Sequence, residues 1–372
     1  SLPHAVKVTL HAQIGAFRES LYATRLDHHL DLLAFHYDRS ENLEKRRFYL
    51  RRAGEAAQAG YANVAAIDYY VRLLPLLPPA EQPAVLLRLG EVLELIGDWQ
   101  AAADRYAQAL ARAEAADHGS IQAQAQIAIG EIHRKQGQFE EASAWYARAF
   151  TLAAALGERA SVAKTHICNG TLAAQQGDYA AATEHYQRSL AIRRALGDRP
   201  NVANVLNNMA IVAQFQGDYA VTRQLHEEAL AIRRALGNTW GIAISLNNLG
   251  TTLLDMQEYA TAGAYLEEAL AIQRAIGDRW AIANALNNLG NVRRELGEFV
   301  EAQTLYAESL AINRALGDQR GLAYLLEDVG LLAANQGDAH RAQRLVGAAA
   351  AVRQAISSPL SPAELDTLNT RL

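Results

Sequence analysis

An all-α solenoid of antiparallel helix pairs is the architecture this sequence predicts, and three observations carry the prediction. Glycines recur every 40 residues, at Gly90, Gly130, Gly170, Gly250, Gly290 and Gly330, with Ala210 in the missing place. A second series lies seven residues later, at Gly97, Gly137, Gly177, Gly217, Gly297 and Gly337, with Gln257 as its exception. The third is composition: 8 prolines in 372 residues, with Ala, Leu, Gln, Glu and Arg abundant, favours helix. Length by itself would predict two or three ordinary domains, but a fixed period of this kind overrides that prior.

Each period reads as two helices. Val205, Met209 and Val212 recur at helical spacing before Gln216-Gly217-Asp218 breaks the helix. Asp218 can cap the next helix, which runs through Leu225, Ala229 and Ile232 to a stop at Gly237. An aromatic stands two residues after the second glycine series, at Trp99, Phe139, Tyr179, Tyr219, Tyr259 and Phe299. Alanines follow at 102, 142, 182, 262, 302 and 342. The small columns let the two helices approach closely, and such a pair buries its apolar face only by stacking on its neighbours.

Gly90, Trp99, Ala102 and Tyr106 resemble the tetratricopeptide repeat, in a 40-residue variant like that of kinesin light chains. A degenerate earlier unit fits with Gly54, Ala66, Tyr70 and Pro78, making about eight repeats. HEAT repeats share the period without this glycine and alanine pattern. The resemblance implies a right-handed superhelical solenoid. The expected organisation is an N-terminal helical segment at 1–40, helical over 4–38, a degenerate repeat at 41–80 and regular repeats over 81–322. A closing repeat at 323–357 and a tail at 358–372 complete it. Residues 10–71, beginning LHAQIGAFRESLYATRLDHHLDLLAFHYD, and the stretch RAQRLVGAAAAVRQAISSPLSP at 341–362 resemble bacterial STAND-type signalling ATPases, including ones fused to class III cyclases. There such segments follow the ATPase and winged-helix region and close the array, so this chain resembles their C-terminal sensor region, or a stand-alone relative.

Several function classes are excluded or disfavoured. A net charge of −5 gives no general attraction to phosphate backbones or anionic lipids, and no 18-residue apolar run exists. The expectation is no nucleic acid, no membrane and a cytoplasmic location, bacterial by the resemblance. The single cysteine, Cys168, makes no internal disulfide and no thiolate metal site. Gly157-Glu-Arg-Ala-Ser-Val-Ala-Lys164-Thr165 lacks the spacing and second glycine of a phosphate loop, and neither His-Glu-x-x-His nor Gly-x-Ser-x-Gly occurs. His29 and His36 could share a helix face but lack further ligands, and Asn169-Gly-Thr171 lies in a repeat helix where glycosylation has no place. No catalytic residue, metal or cofactor is expected, and the chain is read as a non-enzyme.

The columns that could bind are polar. Leu-Asn-Asn recurs at Asn207-Asn208, Asn247-Asn248 and Asn287-Asn288, with Asn291 one turn on. Asparagine suits helix interiors poorly, so its registration three times over needs a reason outside its own helix. One reading is an amide ladder that hydrogen-bonds the backbone of an extended peptide in the concave groove. The other is that the asparagines bond the adjacent repeat and hold its angle. Cys168 shares the column of Asn208, Asn248 and Asn288. Asn204, Gln214, Phe215, Arg294 and Tyr324 project to the same face and complete the candidate set, with Phe215 and Tyr324 as aromatic contacts. Glu91, Glu94 and Glu131 make the early part acidic, and Arg134 with Lys135 reverses the sign. A basic column, Arg194, Arg234, Arg274 and Arg314, is accounted for by the helix dipole.

The function these features predict is a non-catalytic peptide- or protein-binding sensor and scaffold region of a signalling ATPase. The expected partners are a peptide or protein in the groove and the parent protein's own N-terminal effector domains. A self-association scaffold and a small-molecule sensor are the alternatives.

Overall fold

The turn between the two helices of a repeat is set by three residues. Gly217 takes φ +76°, the left-handed region, and its N–H bonds the Gln214 carbonyl at 2.9 Å while the Asp218 N–H reaches Ala213 O at 3.0 Å. The Asp218 carboxylate then accepts the Val221 N–H at 3.1 Å and caps the second helix. Gln257 occupies the same left-handed conformation, φ +61°, where its neighbours in the column have glycine, a conformation that costs an L-residue about 1 kcal/mol.

In the computed structural model these rules yield a chain of helices, with residues 3–356, 358, 360 and 362–371 described. Residues 1, 2, 357, 359, 361 and 372, which fall within the segments expected at 1–40, 323–357 and 358–372, lie outside the described residues. The helices group into two compact units, Ser1–Ile192 and Arg193–Leu372.

The first unit opens with α1 (His4–Leu21), a 3-10 turn (Leu26–His29) and α2 (Leu30–Asp38). The pairs α3 (Leu43–Ala59) with α4 (Asn63–Leu73), α5 (Gln82–Leu95) with α6 (Trp99–Ala115), and α7 (Gly119–Lys135) with α8 (Phe139–Ala155) follow. Next come α9 (Arg159–Gln175) and α10 (Tyr179–Ala195), the boundary after Ile192 falling in the last turn of α10. The second unit holds α11 (Arg199–Phe215) with α12 (Tyr219–Ala235) and α13 (Thr239–Asp255) with α14 (Tyr259–Ile276). It continues with α15 (Arg279–Glu295) and α16 (Phe299–Leu316), α17 (Gln319–Asn335) and α18 (Ala339–Ala355), and ends with α19 (Pro362–Arg371).

What closes each pair is a ring laid on a glycine. A Cβ added at Gly90 would stand 2.3 Å from the Tyr106 ring, and Gly130–Tyr146, Gly170–Tyr186 and Gly290–Tyr306 repeat the contact. The tyrosine lies sixteen residues after its glycine each time, and all four rings are buried. Gly54 receives Tyr70 in the same way, so the degenerate repeat packs like the regular ones. Gly250 is covered by Leu266, and where the column holds Ala210 the residue sixteen on is His226.

The second helices carry an ion-pair ladder. Arg194 reaches Glu228 at 2.6 Å, Arg234 reaches Glu268 at 2.7 Å and Arg274 reaches Glu308 at 2.7 Å. Each pair joins successive second helices, a role the helix-dipole account of this column did not contain.

Candidate functional site

All twelve candidate residues fall in the second unit, on α11, α13, α15 and α17. The structure joins most of them into bridges between successive first helices. Asn248 donates its amide to Asn207 Oδ1 at 2.7 Å, and Asn288 donates to Asn247 Oδ1 at 3.1 Å. Gln214 donates to Asp255 at 2.9 Å. Asn287 and Asn291 both donate to Asp328 Oδ2, at 2.7 and 3.1 Å. The reading in which asparagines hold the adjacent repeat therefore describes these contacts.

The bridges occupy only part of each amide. Among the described residues, Asn207 accepts with its oxygen while its NH₂ makes no further bond, and Asn247 does the same. Asn248 and Asn288 donate, and among the described residues their side-chain oxygens make no further bond. Asn208 is half-buried and, among the described residues, shares no side-chain hydrogen bond with another side chain. A row of donors and acceptors thus remains along the bridged surface, and an extended backbone offers the complement. The Asn287 oxygen is buried without a partner, a cost of about 1–3 kcal/mol.

Three candidates are placed differently from expectation. Arg294 is buried, only 3% exposed, rather than presented to a ligand. Its guanidinium donates to Glu295 at 2.9 Å, to the Asp328 carbonyl at 3.2 Å and to the Tyr306 hydroxyl at 3.4 Å. Burial opposes its charge, but Tyr306, Asp328 and Glu295 outweigh that and keep it firmly protonated. Asn204 and Tyr324 occupy one column, and both meet the arginine of their own second helix. Asn204 Oδ1 accepts from Arg233 at 3.1 Å, while the Arg353 guanidinium lies 4.3 Å from the Tyr324 ring centre. Arg353 in turn makes a buried pair with Glu327 at 2.6 Å. These two columns brace helix pairs. Phe215 remains strongly exposed, with Ile211 exposed one turn before it.

Sequence reasoning missed Asp328 and Asp255, the acceptors of the bridges. The available signal was an offset: 41 residues separate Asn207 from Asn248, Asn247 from Asn288, Gln214 from Asp255 and Asn287 from Asp328. Beside these bridges a cavity of about 500 Å³ opens among Asp255, Gln257, Tyr259, Asn291, Arg294, Glu295 and Asp328. Its lining is mostly polar, which suits backbone groups and cationic side chains better than an apolar ligand.

The first unit uses the same offset with charges. Lys135 pairs with Glu94 at 2.7 Å, and Arg134 donates to Gln175 at 3.0 Å as well as to Glu131 at 2.8 Å. Glu94 and Glu131 are thus neutralised by the cations of the reversal, while Glu91 accepts from the Gln58 amide at 3.2 Å. Cys168 is buried among Ile127, Tyr146 and Leu172, where burial and the nearby Glu131 carboxylate push its thiol well above the usual range. The amide column accordingly ends in an apolar residue here. His36 bonds His11 at 3.0 Å while His29 stacks on Tyr22, so His29 and His36 do not converge. Among the described residues no group of three or more His, Cys, Asp or Glu could hold a metal ion, and no helix is long and apolar enough to cross a membrane.

The tetratricopeptide repeat family profile matches residues 81–155, 161–235 and 241–315, more than half of the chain. The chain belongs to the tetratricopeptide repeat family. Among solved structures, this repeat array is similar to the Signal Transduction ATPase with Numerous Domains (STAND) protein with a tetratricopeptide repeat sensor from Pyrococcus horikoshii. The two share 15% identity with a TM-score of 0.65 over 97% of this chain and 54% of that one. The chain thus spans about half the length of that relative. It is also similar to the apo quorum sensor NprR of B. thuringiensis, at 17% identity and a TM-score of 0.58, covering 83% of this chain and 87% of that one. A Rap protein complexed with competence and sporulation factor matches at 16% identity and a TM-score of 0.57, covering 85% and 98%. These likenesses establish the repeat fold. No curated protein sequence matches.

Proposed function

We propose that the array is a recognition scaffold whose second unit binds an extended peptide segment along α11, α13, α15 and α17, as the sensor part of a larger signalling ATPase. The observation that carries the reading is the row of half-used amides. Asn207 and Asn247 keep their NH₂ groups, and Asn248 and Asn288 keep their oxygens, on a surface already fixed by the inter-repeat bridges. Such a surface is preorganised, so a ligand loses less free energy in ordering it. Phe215 and Ile211 add an apolar contact at one end, and the polar cavity beside Asp255 and Asp328 accepts donors at the other. The Rap and NprR likenesses support a ligand-sensing use of this fold, and the P. horikoshii likeness supports the ATPase context.

The test is a random 12-residue peptide library selected on the full chain, with recovered peptides measured by calorimetry. An amide row reads backbone, so single N-methylations of a bound peptide should weaken binding about tenfold or more, the loss of one or two hydrogen bonds. Single side-chain truncations should matter less, and Asn208→Ala should weaken binding without lowering Tm. Recovery of no peptide, or indifference to N-methylation, would overturn the reading.

A further inference from the structure

The outer face of α1 carries an exposed apolar stripe. Val6, Leu10, Ile14, Phe17 and Leu21 are all exposed, Phe17 at 67% and Leu21 at 58%. Their spacing of four, four, three and four residues puts them on one face of the helix, in the rhythm of a two-helix seam. The opposite face is the one that packs: a Cβ at Gly15 would stand 3.1 Å from the Tyr37 ring. Phe35 of α2, 45% exposed, continues the apolar surface beside His11, their ring centres 5.8 Å apart.

The charge around the stripe has one sign. Exposed Lys7 and half-buried Arg18 border it along α1, and the Arg39 guanidinium lies on the Phe35 ring at 3.8 Å. The only carboxylate of α1, Glu19, turns inward, accepting from Tyr37 at 2.7 Å, Tyr49 at 2.6 Å and Lys45 at 2.5 Å. Burial opposes ionisation of Glu19, but those donors outweigh it and hold the carboxyl below its usual range. The inner face has thus claimed the acid, and cations border the outer one.

We infer that the outer face of α1 docks an amphipathic helix of a partner protein, one whose apolar seam is bordered by Asp and Glu. Heptad-like spacing selects a helix as the occupant, and the cationic border selects its charge. The same border disfavours a second copy of this chain, since two such faces would set Lys7 and Arg18 against their own kind. This surface is separate from the amide row, and its test is independent of it.

The probe is a fluorescein-labelled 21-residue helical peptide with leucines at its seam and glutamates at the flanking positions. A twin has lysines in place of the glutamates. Anisotropy with the full chain should show the glutamate peptide binding at least tenfold more tightly, with the difference shrinking at 0.5 M salt. Leu10→Glu/Phe17→Glu should abolish binding at unchanged helicity. Should that variant fold poorly, Lys7→Glu/Arg18→Glu should reverse the preference between the twins. Equal binding of the twins, or no binding of either by the parent, overturns the proposal. So does a parent dimer that Leu10→Glu/Phe17→Glu dissociates, or a chain that floats with anionic phosphatidylserine vesicles and ignores both peptides.

Discussion

Asn248 gives its amide hydrogen to the oxygen of Asn207, 41 residues earlier on the preceding first helix, at 2.7 Å. The bond makes asparagine, a poor helix former, into a strut between repeats, and it explains why the residue recurs in register. Removing it should leave the Asn207 oxygen without its donor in a partly buried site. Asn248→Ala is expected to lower stability by about 1 kcal/mol, and a double-mutant cycle with Asn207→Ala should return a coupling of about 0.5–1.5 kcal/mol. Asn208→Ala, which breaks no such bridge, should stay within about 0.5 kcal/mol of the parent. Urea melts of the four proteins decide it, and a zero coupling would remove the strut.

Gly290 and Tyr306 make a sharper prediction about packing. A Cβ on Gly290 would meet the ring at 2.5 Å, and the ring is buried with its hydroxyl bonded to Asn291 at 2.7 Å. Gly290→Ala is expected to cost about 1–3 kcal/mol by overpacking. At the equivalent positions the chain has Ala210 and, sixteen residues on, His226, so Gly290→Ala/Tyr306→His should recover part of the loss at neutral pH. Thermal melts at matched concentration would show whether it does.

Histidine burial sets the response to acid. His226 is buried, its Nδ1 has no partner, and burial together with Arg233 lowers its pKa to about 4. His166 and His185, 3.1 Å apart, are lowered too, each mainly by burial. A histidine whose folded pKa lies below its unfolded 6.5 binds more protons when unfolded below that pH. Stability is therefore level above about pH 6.5 and falls as pH drops toward 4, His226 alone contributing on the order of 3 kcal/mol when fully titrated. Tm measured from pH 7.5 to 4.5 should show the decline, and His226→Gln should flatten it. An unchanged slope would mean other groups dominate.

The arginine column offers a choice between two electrostatic accounts. If the helix dipole is the whole story, Arg234 and Glu268 act independently. If the 2.7 Å pair matters, a double-mutant cycle of Arg234→Gln and Glu268→Gln should give a coupling of about 0.2–1 kcal/mol. Both groups are about half exposed, so the coupling should disappear in 1 M salt.

Arg353 and Glu327 form the buried counterpart, 5% and 10% exposed. Glu327→Ala should strand a guanidinium beneath Tyr324 and cost about 3–5 kcal/mol. The expected readout is an early, separate loss of helix in circular dichroism melts, since α17 and α18 form the last helix pair of the second unit, followed by α19. A single transition at the parent's Tm would contradict it.

Most of the fold was legible in the residues because its determinants are short-range. Gly217 and Asp218 stop one helix and start the next through bonds within five residues, and Gly90 with Tyr106 closes a pair sixteen residues apart. Such relations recur at the same offsets in most units, so the period exposes them. The candidate face was legible too, but the use of its residues was not. Arg294 is burdened with Glu295, Asp328 and Tyr306, and Asn204 and Tyr324 with Arg233 and Arg353, none of which a helical projection places.

What the sequence by itself determined is the helix pair: its length, its turn and the small residues that let its helices approach. What only the tertiary structure decided is the joint between pairs. The 41-residue offset that sets Asn248 on Asn207 and Asn287 on Asp328 comes from how far one first helix slides along the next. That slide is fixed jointly by many side chains in the stacked core, and no single residue type announces it.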